Sequence, residues 1–106
     1  MKKFILFFRG GRPSPEKRDE NMKEWNAWMA NLFKAGVVDS GLPLTDEAVS
    51  VSEAGARKFH EGSHDVSGYL IINVSSAEEA VEIAKSAPHI AFGGSTEVRE
   101  AMPMSM

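Results

Sequence analysis

Two short stretches, Phe4–Phe8 (FILFF) and Gly68–Val74 (GYLIINV), carry apolar residues at successive positions instead of alternate ones. A strand sends neighbouring side chains to opposite faces, so a strand without alternation has to be covered on both sides. Lys2-Lys3 and Arg9-Gly10-Gly11 bound the first run, and the polar segment Glu61–Asp65 precedes the second. Runs this short with such flanks read as strands, not helices. Any fold for this chain must therefore supply two layers of cover.

The segments between them can supply one layer. Gly10, Gly11, Pro13 and Pro15 predict a loop, and Ser14-Pro15 has the form of a helix start with Ser as N-cap. Met22, Trp25, Trp28, Met29, Leu32 and Phe33 follow at spacings of three and four, predicting one apolar stripe on a helix that ends at Gly36. Val37-Val38 opens a second strand running towards Leu44. Ala48–Ser52 and Arg57–His60 predict a small hairpin turning through Glu53–Ala56. After Gly68–Val74, Ser76-Ala77-Glu78-Glu79 is a capping box, and the helix it starts stops before Pro88. Ser95–Met102 predicts the last strand, with Glu97 and Arg99 on one face, placed to pair across the sheet or a dimer. The tail Met102–Met106 is soft and apolar, placed either to fray or to lie across a partner.

The order strand, helix, strand, hairpin, strand, helix, strand is the split βαβ plan. It predicts a single α+β domain over residues 1–106: ferredoxin-like βαββαβ, an antiparallel sheet with both helices on one face, and a small hairpin insert. The helices then cover one side of Phe4–Phe8 and Tyr69–Val74 only. A second copy of the same face, brought up by a two-fold axis, is the simplest cover for the other side, so a homodimer through the sheet face is expected.

Composition narrows the function. With 106 residues and a net charge of −3, the chain has no basic excess to neutralise phosphates, so nucleic acid is not the expected partner. The absence of cysteine excludes disulfide scaffolds, thiol nucleophiles, zinc ribbons and iron–sulfur clusters. Phe4–Phe8 is too short for a signal-peptide core, and nothing approaches the roughly 18 apolar residues of a membrane helix, so the expectation is a cytoplasmic protein with no membrane contact.

The segment from Val66 to Ala101 resembles the YCII-related family, including its DGPF-motif branch. It shares the Gly-Tyr strand, an S-x-x-E-A-x-x-I-A helix, a Pro-His turn, Gly-Gly and a final Glu-Val-Arg strand. Ala35-Gly36-Val37-Val38 with Ser40-Gly41 resembles the family's second strand. The resemblance implies a ferredoxin-like fold assembled as a dimeric α/β barrel. Two departures stand out. The branch's Asp-Gly-Pro-Phe is here Glu61-Gly62-Ser63-His64. The first helix, Pro15–Ala35, also lacks the His that some members carry and that is thought to work with an Asp.

Candidate site residues follow from chemistry. His64 and Asp65 are the best catalytic pair, an imidazole and a carboxylate at the entry to a central strand, although adjacent residues on an extended chain point apart. His60, His64 and Asp65 could ligate a metal with His89 as a third imidazole, but His60-x-x-x-His64 is a site signal only on one helix face and Gly62 argues for a turn, so no metal is expected. Arg9-Gly10-Gly11-Arg12 can cradle a carboxylate or phosphate, with Arg9 nearest the strand end. Trp25, Trp28 and Met29 are core residues that can also line a pocket between helix and sheet, where Ser40 and Tyr69 would add polar contacts. His89, after Pro88 at a helix end, reads as structural. The expected function is a small-molecule-binding protein or a cofactor-independent small enzyme; the alternative is a non-catalytic homo-oligomeric interaction or regulatory module.

Overall fold

In a computed structural model describing residues 1–60 and 66–104 (without the side chains of residues 59 and 60), Phe4, Leu6 and Phe8 point to one face of β1 (Lys2–Arg9) and are buried. Ile5 and Phe7 point to the other face and are only half-buried. β1 lies at the centre of a four-stranded sheet ordered β2 (Val38–Pro43), β5 (Val66–Val74), β1, β6 (Ser95–Glu100), and every neighbouring pair is antiparallel. In register, Leu6 stands between Leu70 and Val98, and Phe4 faces Ile72.

Both helices lie over the Phe4–Leu6–Phe8 face. α1 (Arg18–Lys34) packs Trp25, Trp28, Met29 and Leu32 on it, and α2 (Ala77–Lys85) approaches through Ala80 and Ala84. The buried centre is Leu6, Leu70, Ile72 and Val74, each worth about 1.5–3 kcal/mol of transfer free energy. Small residues on α2 let its backbone come close, so a short helix suffices.

The stripe on α1 is narrower than its spacing predicts. Met22 and Phe33 are exposed, and Asn21, one turn before Trp25, takes the buried place instead. Ser14 does not cap through its side chain: the chain enters α1 by a 3-10 turn over Pro15–Lys17, where the Lys17 N–H donates to the Ser14 carbonyl at 3.0 Å. At the other end Gly36, at φ +75°, completes a Schellman turn, with Gly36 N–H to Phe33 O and Val37 N–H to Leu32 O at 3.0 and 3.3 Å.

The insert is a separate antiparallel hairpin, β3 (Glu47–Ser52) with β4 (Gly55–His60), as expected. Its described side chains are exposed apart from half-buried Ala48, and Val49 and Val51 stand in solvent at 56% and 76% exposure. The opposite face of the main sheet is open. Ile5, Phe7, Tyr69 and Ile71 line it, bordered on β6 by Glu97 held between Arg9 and Arg99.

Candidate functional site

Where β1 ends, the chain turns away through Gly10 and Gly11 at φ +60° and +69°, and α1 begins beside it. The gap between this turn, the first turns of α1 and the ends of β2 and β5 is a cleft of about 550 Å3. That volume suits a single small organic molecule.

The inner wall is aromatic. Phe8 meets Trp25 edge-on at 5.1 Å and His89 at 5.2 Å, while Trp25 stacks on the His89 ring at 5.6 Å and 27°. His89 sits in a second 3-10 turn, Pro88–Phe92, and is 2% exposed. Two glycines, Gly11 and Gly94, make room for it. A Cβ on Gly11 would meet the His89 carbonyl at 2.4 Å, and one on Gly94 would meet His89 Cδ2 at 2.5 Å.

The protonation of His89 is set by its neighbours. Nε2 lies 2.7 Å from the Ser95 carbonyl, which can only accept, so Nε2 carries the proton. Burial depresses the imidazole pKa, and the bond to Ser95 offsets part of that. The ring is therefore neutral near pH 7 and Nδ1 presents a lone pair. Nδ1 is buried without a hydrogen-bond partner, and so is the Asn21 amide nitrogen. Both residues border the cleft. A buried polar atom left unpaired costs about 1–3 kcal/mol, so two such atoms beside one cleft define its chemistry better than its shape does.

The residues that the sequence offers as site candidates divide. Trp25 and Met29 border the cleft; Tyr69 borders it at its edge, but in register with Phe7 it belongs to the open face of the sheet. Trp28 does not; its Nε1 donates to Ser86 Oγ at 2.8 Å and ties α1 to the end of α2. Arg9 and Ser40 lie across the sheet from it. Arg9 pairs with Glu97 at 3.3 Å, and Ser40 sits opposite Ile71 on the open face. For Arg9 strand alternation is the reason, since it follows the buried Phe8 and so points the other way; for Ser40 it is the register shift after Val38. Arg99, hydrogen-bonded to Glu97 with Arg9 beside it, holds that carboxyl below its usual pKa. His64 and Asp65 lie outside the described residues, as do the remaining members of the metal set considered with His89 apart from the backbone of His60. Among the described residues no three His, Asp or Glu side chains converge for a metal. Sequence reasoning misses Asn21 and His89 as residues of the cleft wall. The signals that could find them are the place of Asn21 four residues before Trp25, on the line of the stripe, and the glycine pairs flanking the chain around His89.

A four-stranded antiparallel sheet with both helices on one face, and a cleft where the first helix meets the strand ends, defines a ferredoxin-like α+β domain. The chain belongs to the YCII-related domain family, whose model matches residues 3–105. No curated protein matches it in sequence. Among solved structures it is similar to 5-chloro-2-hydroxyhydroquinone dehydrochlorinase (TftG) from Burkholderia phenoliruptrix AC1100, in complex with 2,5-dihydroxybenzoquinone. The TM-score is 0.60 at 17% identity, covering 94% of this chain and 93% of that one, a likeness of fold.

Proposed function

We propose that this chain is a cofactor-independent, cytoplasmic small-molecule protein that works as a homodimer and takes a planar, hydroxylated, mostly apolar ring into the cleft beneath α1. The observation that carries this reading is the unpartnered Nδ1 of His89 in an aromatic wall. A flat ring can lie along Trp25 and Phe8, and a hydroxyl on it can donate to Nδ1. A neutral imidazole fixed as its Nε2–H tautomer can also take that proton as a general base. The related fold of TftG was captured with a hydroxylated quinone, which fits the same description of the occupant. His64 and Asp65, the acid–base pair suggested by the sequence, enter this proposal as the groups whose removal should abolish turnover and leave binding intact.

The test is ligand-observed NMR with a panel of hydroxylated aromatic and quinone probes, on the wild-type chain and on Met29→Trp, which fills the cleft. Saturation transfer to at least one hydroxylated probe, lost in Met29→Trp, is the expected result. Probes that bind equally well to the filled variant would sink the cleft reading.

A second reading, the homo-oligomeric interaction module, is favoured by the exposed hairpin with Val49 and Val51 in solvent. It predicts that deleting residues 47–60 changes the assembly and no small-molecule binding.

A further inference from the structure

The rim of the cleft has a charge pattern of its own. Among the described residues that border it, the charged side chains are Arg12 and Arg18, and no carboxylate is present. The chain as a whole carries −3, so a rim with cations only departs from its average. Asp19 and Glu20, on the same first turn of α1, stay off the cleft, and Glu20 turns to Lys17 at 3.8 Å. Arg18 is exposed at the start of α1, where the helix dipole is positive. Just below it, Asn21 is 6% exposed and its Nδ2 donor has no partner. A guanidinium in solvent is ordinary by itself. A buried amide donor held unsatisfied beneath it is not, because that donor has given up water without receiving an acceptor.

We propose that Arg18 and Asn21 form an anion subsite, and that the molecule bound in the cleft is a planar organic carboxylate. Its carboxylate accepts from Asn21 Nδ2 and is neutralised by the Arg18 guanidinium, and its ring runs inward along Trp25 towards His89. The inference rests on the cleft reading above and adds the charge of the occupant. It also accounts for the two unpaired atoms having opposite characters: a donor at the rim for an oxyanion, an acceptor inside for a hydroxyl.

The test uses two probes of one shape, naphthoate and its neutral analogue naphthamide, titrated calorimetrically into the full chain at low salt. Wild type should bind naphthoate about tenfold more tightly, as a charge-assisted contact implies. Arg18→Gln should weaken naphthoate about fivefold and leave naphthamide unchanged. Asn21→Leu, similar in volume, should erase most of the preference while the thermal transition stays cooperative; if that variant fails to fold, Arg18→Gln still decides. Equal binding of the two probes to wild type overturns the anion subsite and leaves the cleft reading standing. A preference for naphthoate untouched by Arg18→Gln also overturns it. Binding of neither probe overturns the subsite, and the hydroxylated panel above decides the cleft reading separately.

Discussion

His89 is fixed from three directions at once: the Ser95 carbonyl accepts from its Nε2–H, Trp25 covers its ring, and Gly11 and Gly94 leave the space it fills. A methyl group at Gly94 has no flexible neighbour to displace, because two of the atoms it would meet are the His89 and Arg9 carbonyls at 2.8 and 3.0 Å. Gly94→Ala should therefore destabilise the chain by about 1–3 kcal/mol, read as a lower urea midpoint at unchanged slope. The protonation state gives a second prediction. Burial lowers the folded pKa of His89 below its unfolded value, so between those two values the unfolded chain holds more protons. The stabilising contribution is complete above the unfolded pKa of about 6.5 and is lost as pH falls through the lower folded value. Thermal melts from pH 8 down to pH 5 should show a falling transition temperature, and His89→Gln should flatten that slope. An equal slope in wild type and variant would remove His89 as its source.

Among the elements, the helix ends decide how α1 and α2 meet the sheet. Ser76 Oγ accepts from the Glu79 N–H at 3.2 Å, and Glu79 reaches back to the Ser75 N–H and hydroxyl at 3.1 and 2.7 Å. The box predicted from Ser76-x-x-Glu79 forms, with the return bond going one residue earlier than the usual pattern. The Ser75 hydroxyl bond is also the main reason that the Glu79 carboxyl sits below its usual pKa. Ser76→Ala should cost about 1 kcal/mol in equilibrium urea unfolding, with little change in cleft binding. The start of α1 is less legible. Ser14-Pro15 signals a helix, but Pro15–Lys17 closes as a 3-10 turn and the α-helix begins at Arg18. That delay sets the phase of the first turn and brings Asn21 over the core while Met22 swings out.

The whole molecule is flat and extended, about 45 × 40 × 18 Å, with a radius of gyration of 15.1 Å. A compact chain of this length would be near 13 Å. The excess comes from a layer count of two, one sheet face left open, and a hairpin that projects from the body. A lone two-stranded hairpin is marginal in water, and an open face holding Ile5, Phe7, Tyr69 and Ile71 is an equally poor surface for a free monomer. The proposed homodimer answers the second of these. Phe7→Glu puts a charge in the middle of the open face without touching the cleft. In sedimentation experiments at micromolar concentration wild type should run as a dimer and Phe7→Glu as a folded monomer. A monomeric wild type would remove the assembly from the proposal and leave the fold as it is.

The set of elements and their order are written in the chain itself. FILFF and GYLIINV state a sheet with two apolar faces, Gly36 and Ser76 mark helix ends, and the hairpin falls within a residue or two of its predicted place, because these signals are local and act over a few residues. The site is different in kind. Arg9 reads as the arginine nearest the strand end, yet the alternation set by Phe8 turns it to the far face, and Arg18 takes the rim instead. Asn21 and His89 acquire their meaning only when α1, the turn after β1 and the turn at Pro88 come together. An unsatisfied donor and an unsatisfied lone pair are properties of what surrounds an atom, and the tertiary structure alone decides those surroundings.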